Sequence, residues 1–162
     1  MNSLFHHILV PIDFSDYSKA ALRFSVEVAQ HCNAELVLIY VVEPFIYPPD
    51  FSMGQIALPA VNLELDKRAE EQLQKLAESE IGGKVKVKTV VKSGTPFVEI
   101  LDFAKTEDID LIIISTHGHT GVEHLLFGST TDKVVRKSPC PVLTLRDPIK
   151  GFDYKSLLQK KD

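Results

Sequence analysis

The chain is expected to fold as a doubly wound α/β domain, a five-stranded parallel sheet with helices on both faces. Two features of the sequence predict this. Short apolar runs alternate with segments of helical period up to about residue 146. Most of the runs are also too uniformly apolar to keep one face in water, which is the mark of strands covered on both sides. The composition agrees: 162 residues with 44% apolar and 25% charged side chains can bury one full core without disulfides or metals. Residues 1–146 are read as one domain and 147–162 as a C-terminal extension.

The strands are expected at Ile8 to Ile12, Leu36 to Val42, Val85 to Val91, Leu111 to Ile114 and Val142 to Leu145. Between the first two, Tyr17, Ala20, Ala21, Phe24 and Val28 share a helical face, and Ser15 is the N-cap candidate. A second face is formed by Leu65, Ala69, Leu73, Leu76 and Ala77, ended by Gly82-Gly83. The third, Phe97, Ile100, Leu101 and Ala104, opens with Thr95 as cap and Pro96 at the first helical position. A fourth helix is expected from near Ser129, whose spacing to Asp132 resembles a capping box, to just before Ser138-Pro139.

The net charge of −4 offers no basic field for nucleic acid or an anionic membrane, and neither is expected as a partner. Cys32 and Cys140 form no C-x-x-C pair. No signal-peptide pattern and no apolar run near the ~20 residues of a membrane span is visible. A cytoplasmic protein with both thiols buried as small hydrophobes is the expectation.

The stretch Ser115 to Thr130 holds three of the eight glycines, at 118, 121 and 128, between the fourth apolar run and the fourth helix. A phosphate chain needs several backbone N–H groups to converge on it, and glycine permits both the close approach and positive φ. A helix starting after Gly128-Ser129 adds unpaired N–H groups and a favourable dipole. Ordinary turn chemistry also explains glycines in such a loop. On a doubly wound sheet, ligands sit at the carboxyl ends of strands where the winding reverses, which would bring this loop and Asp13 to one crevice.

Pro11-Ile12-Asp13-Phe14-Ser15, Ser115-Thr116-His117-Gly118-His119-Thr120-Gly121, Gly128-Ser129 and Cys140-Pro141-Val142-Leu143 together resemble the universal stress protein family, from about Phe5 to Arg146. The nucleotide-binding branch of that family carries G-x2-G-x9-G-[S/T]. Here Gly118, nine residues and Gly128-Ser129 match its latter part, while Ser115 stands where the first glycine is usual. The resemblance implies a Rossmann-like fold of the adenine nucleotide alpha hydrolase-like kind and an ATP site, with Mg²⁺ left open. Asp13, beside Pro11 and Ile12, would accept from the ribose hydroxyls, and the backbone at Val41 would read the adenine edge. Gly118, Gly128, Ser129 and Thr130 would hold the phosphates, and Ser115, where the backbone passes close to the sugar, Thr116, His117 and His119 would complete the cofactor-binding set. Local roles compete: Asp13 as cap of its turn, Ser129 as N-cap, Val41 as a buried strand residue.

The expected function is ATP-dependent association with unknown protein partners, not turnover; the alternatives are slow ATP hydrolysis or autophosphorylation, and a partner-binding dimer with an empty pocket. His117, His119 and His124 lack a one-face metal spacing, and no metal is expected. A phospho-receiver would need an aspartate where the third strand leads into Lys92-Ser93-Gly94-Thr95. Residues 43–60, with Phe45, Tyr47, Phe51 and Met53, are expected to form a long loop serving as lid, partner contact or plain surface. Lysines at 84, 86 and 88 guard the third strand as an edge, whereas 141–146 is uncharged until Arg146, so a homodimer through 141–146 is expected.

Overall fold

The computed structural model describes residues 3–44, 58–117 and 127–146. The elements are β1 (His7–Pro11), α1 (Asp16–Cys32), β2 (Glu35–Val42), α2 (Leu58–Ile81), β3 (Val87–Ser93), α3 (Pro96–Thr106), β4 (Leu111–Ser115), α4 (Ser129–Lys137) and β5 (Val142–Leu145). All strands pair in parallel in the order β3-β2-β1-β4-β5, the doubly wound topology expected. The winding direction reverses between β1 and β4.

Strand period explains why the apolar runs are continuous. Ile8 and Val10 of β1 face one layer with Leu22 and Val26 of α1 and Leu73 and Leu76 of α2. Leu9, between them, faces the other layer with Ile100 and Phe103 of α3 and Val134 of α4. In β4, Leu111 and Ile113 join the first layer and Ile112 and Ile114 the second. Each such side chain contributes about 1.5–3 kcal/mol by leaving water, so a polar residue on either face would cost a share of the core.

The inner face of α1 differs from the expected one. Its buried residues are Ser18, Ala21, Leu22, Ser25, Val26 and Ala29, whereas Tyr17, Ala20, Phe24 and Val28 are half-buried flanks. Serine can sit in the core here because the helix satisfies it: Ser18 Oγ donates to Ser15 O at 3.1 Å and Ser25 Oγ to Ala21 O at 2.7 Å. The small side chains let the helix lie close on the sheet, and the larger ones lap over its sides. Ser15 is the N-cap and accepts from Ser18 N.

Other boundaries shift. Thr95 caps α3 with Pro96 at the first position, but its side chain makes no capping hydrogen bond. The cap of α4 is Gly128, so Ser129 is the first helical residue and the capping-box reading fails. α2 starts at Leu58, which makes the last residues of the expected 43–60 loop helical. Residues 45–57, including Phe45, Tyr47, Phe51 and Met53, lie outside the described residues, as does the extension 147–162. β3 starts at Val87, so Lys84 and Lys86 precede it. Cys32 and Cys140 are half-buried against the two core layers, short of the full burial expected. Among the described residues no helix is long and apolar enough to cross a membrane.

Candidate functional site

The last hydrogen bond between the β1 and β2 segments runs from Ile12 N to Ile39 O, at 2.8 Å. Beyond it the chain leaves β1 for α1 while β2 continues to Val42, and a cleft of about 530 Å³ opens at the carboxyl ends of β1, β2 and β4. Its volume lies within the usual range for small-molecule sites. A larger hollow of about 680 Å³ at the opposite end of the sheet, lined by residues such as His6, Asn33 and Lys84, receives neither strand carboxyl ends nor a helix start. The switch-point cleft is therefore the chemical candidate.

The turn from β1 to α1 supplies one wall. Asp13 Oδ1 accepts from Ser15 N at 3.0 Å and from Ser15 Oγ at 2.5 Å. Asp13 N donates to Ser18 Oγ at 3.4 Å. The capping role open in the sequence is thus realised, and it fixes the carboxylate at the rim, because Asp13 also lines the cleft. Phe14 between them has φ 63°, left-handed backbone rarely adopted by an aromatic residue.

β2 supplies the floor. In this strand the odd residues turn their backbone groups to β1: Glu35 N donates to His6 O and Ile39 O accepts from Ile12 N. The even ones turn to β3, as Leu36 N to Lys86 O and Gly94 N to Val42 O show. Val41 is odd, so its N–H and C=O point to the β1 side at the level where β1 has ended. They face the cleft, while its side chain is buried with Ile100 and Ile114.

The end of β4 and the start of α4 supply the third wall. Ser115 Oγ donates to His117 O at 2.8 Å, and Thr131 Oγ1 donates to Ser115 O at 2.8 Å, strapping the first turn of α4 to the strand. Thr116 is buried behind the wall: its N donates to Leu145 O at 2.9 Å and its O accepts from Gly128 N at 2.7 Å. Its hydroxyl meets His117 Nδ1 at 2.9 Å, and the imidazole rests on Tyr17, ring centroids 5.6 Å apart. Ser115, His117, Gly128, Ser129 and Thr130 line the cleft; Thr116 does not. Gly118, His119 and His124 lie outside the described residues.

Gly128 needs no special backbone, since its φ is −64° and ψ 155°. A Cβ built there meets Thr116 O at 3.6 Å, an ordinary contact. Nothing in the fold demands glycine at this cleft-lining position, and its N–H is already taken by Thr116. The N–H groups of Ser129, Thr130 and Thr131 are those without an intrahelical acceptor, at the positive end of the α4 dipole. They, and not Gly128 N, are what the helix offers an anion.

Some lining residues were not among the site residues expected from the sequence: Phe14, Tyr40, Glu43, Pro96, Ile100 and Thr131. Phe14 and Thr131 had a signal in their immediate proximity to Asp13 and Ser129-Thr130. Pro96 and Ile100 had none, because only the docking of α3 beside β2 brings them there. Among the described residues no group of three His, Cys, Asp or Glu side chains is arranged for a metal ion.

Fold and cleft together define a doubly wound α/β protein with a crevice at the topological switch point. The family model for universal stress proteins matches residues 4–146, and the chain belongs to that family. Universal stress protein MJ0531 of Methanocaldococcus jannaschii is 33% identical over 150 residues, covering 91% of this chain and 86% of that protein. The solved structure of universal stress protein UspA from Lactobacillus plantarum matches with a TM-score of 0.66 at 33% identity, covering 88% of this chain and 98% of that one. The universal stress protein from Archaeoglobus fulgidus, solved in complex with dAMP, shares the fold with a TM-score of 0.61 at 22% identity, covering 87% of this chain and 98% of its own.

Proposed function

We propose that the switch-point cleft binds an adenine nucleotide, ATP, and that the chain, a cytoplasmic homodimer, uses the bound nucleotide to control association with other proteins, not as a substrate for turnover. The observation that carries this reading is the convergence on one cleft of three recognition elements. These are the Val41 backbone pair suited to an adenine edge, the Asp13 carboxylate suited to ribose hydroxyls, and the open first turn of α4 suited to phosphate. Gly128 adds to it, as a position where the fold tolerates a side chain and a ligand would not. That a protein of the same fold holds dAMP agrees with an adenine ligand.

Charge-assisted hydrogen bonds of about 1.5–3 kcal/mol each, with a dipole contribution of about 0.3–1 kcal/mol, reach the ~8 kcal/mol of micromolar affinity when a few act together. Gly128→Val should therefore abolish ATP binding in calorimetry while leaving the melting temperature within a few degrees of wild type. Equal ATP affinity in the two proteins refutes the site. Nucleotide bound to the wild type should also persist as ATP for many minutes under single-turnover conditions.

A further inference from the structure

We infer that Phe14 is a positioning residue: held against Tyr40, it keeps the turn after β1 in the left-handed bend that presents Asp13 to the cleft, and so sets the site's preference for a ribose bearing its hydroxyls. This deepens, and rests on, the nucleotide reading of the same cleft. The starting observation is the φ of 63° at Phe14. Among the described residues the two others with positive φ and a side chain, Asn33 at 51° and Asp108 at 48°, are of the types that tolerate that region. Phenylalanine is not, and it has no polar atom with which to stabilise the bend locally, so contacts elsewhere must hold it.

The contact that holds it is with Tyr40. The Phe14 ring lies 4.8 Å from the Tyr40 ring, centroid to centroid, at an interplanar angle of 55°, a favourable tilted aromatic pair. Both rings are half-buried against the layer built by β1, α1 and α2. The bend brings the residues on either side of Phe14 together, which is why Ser15 N and Oγ reach Asp13 Oδ1 at 3.0 and 2.5 Å. Ser15 Oγ in turn accepts from Ser18 N at 3.2 Å, so one network orients the carboxylate and starts α1.

Without the ring contact, a residue with a Cβ returns to negative φ, Ser15 moves away and the carboxylate loses its fixed direction. A carboxylate only accepts hydrogen bonds, and the vicinal hydroxyls of a ribose are matched donors. Tyr40 precedes Val41 in β2, so the strand whose backbone faces the adenine position also anchors the residue that aims the sugar contact.

Phe14→Ala and Phe14→Gly separate positioning from bulk. Glycine accepts positive φ without the ring; alanine has neither the ring nor the freedom. In the full chain, ATP and 2′,3′-dideoxy-ATP affinities are measured by calorimetry, and exchange of the Ser15 amide hydrogen by NMR without nucleotide. Wild type should prefer ATP by about tenfold or more. Phe14→Gly should keep most of that preference and the protection of the Ser15 amide, and Phe14→Ala should lose both. Should Phe14→Ala fail to fold, Tyr40→Leu removes the aromatic anchor with an apolar side chain in place and is expected to show the same double loss. Identical behaviour of the alanine and glycine variants, or a Ser15 amide still protected in Phe14→Ala, overturns the inference. A wild type that binds neither nucleotide removes the nucleotide reading, whereas Ser15 exchange still decides whether Phe14 holds the turn.

Discussion

Asp110 stands just before β4, and its Oδ2 accepts from His6 N at 2.7 Å and His7 N at 2.8 Å, while its own N donates to His7 O at 3.0 Å. One side chain thus fixes the start of β1 against the start of β4, the pair that flanks the switch point. Burial alone would raise its pKa, but the two N–H groups outweigh that and hold it below the ordinary 3.8. A depressed carboxylate stabilises the fold fully above its unfolded pKa and loses that contribution as pH falls through the folded one. Asp110→Asn should cost about 1–2 kcal/mol at pH 7, a value reduced for partial exposure. The gap between wild type and variant should stay level down to about pH 5 and close below about pH 4. Urea titrations of both proteins across that range check it, and a gap that persists to pH 2 contradicts it. Ser115 makes a second residue-scale point. Its hydroxyl braces His117 O, so serine there takes part in shaping the loop and is more than an added Cβ beside the cleft.

At the scale of elements, α1 shows what local pattern can and cannot disclose. Its existence and cap follow from Ser15 and helical period, but period alone put Tyr17, Ala20, Ala21, Phe24 and Val28 on the buried face, of which only Ala21 is fully buried. The observed buried face is Ser18, Ala21, Leu22, Ser25, Val26 and Ala29, four small side chains beside two larger ones, because the distance between helix and sheet is set by all their contacts at once. Ser25 is fully buried. Ser25→Leu should therefore cost about 1–3 kcal/mol by overpacking, whereas Ser25→Ala should stay within about 0.5 kcal/mol, since Ala21 O keeps its helical partner. Thermal melts of the two variants decide; a stable leucine variant would mean that α1 sits more loosely than described. The same limit governs the site. Asp13, Ser115 and Gly128-Ser129 were legible because each lies at the carboxyl end of a strand or the start of a helix, positions that the chain order locates, whereas Val41 and Thr130 were named only through the family resemblance. Pro96 and Ile100 were not, because they reach the cleft only through the packing of α3. The left-handed Phe14 was not either, because its conformation is set by Tyr40, a residue on another strand. The N-cap of α4 was misplaced by one residue: the Ser-x-x-Asp spacing fits a capping box, but Gly128 N already donates to Thr116 O and its carbonyl starts the helix by accepting from Asp132 N.

For the whole molecule the question is what covers the two edges of the sheet. β3 and β5 are outermost. β3 carries Lys88 and Lys92, both exposed, with Lys84 and Lys86 just before it, and this charge opposes pairing with a copy of itself. Lys88 is also engaged inside the chain, 3.4 Å from Glu107 and 5.8 Å from the Phe103 ring centroid. β5 has no such guard: Val142, Leu143, Thr144 and Leu145 are uncharged and all half-buried. Its backbone alternation identifies what is offered. Pro141 O accepts from Ile112 N and Leu145 O from Thr116 N, so the odd residues are bonded to β4. The N–H and C=O groups of Val142 and Thr144 therefore point outward from the edge. An antiparallel copy across a two-fold axis would satisfy them and cover Val142 on one face and Leu143 and Leu145 on the other, which is the proposed homodimer. Thr144→Pro tests it, because it removes an outward N–H that no strand among the described residues uses. Light scattering at tens of micromolar should find wild type dimeric and Thr144→Pro monomeric, with Leu143→Lys also dissociated. A monomeric wild type refutes the dimer outright, and a Thr144→Pro protein that remains dimeric places the interface somewhere other than β5.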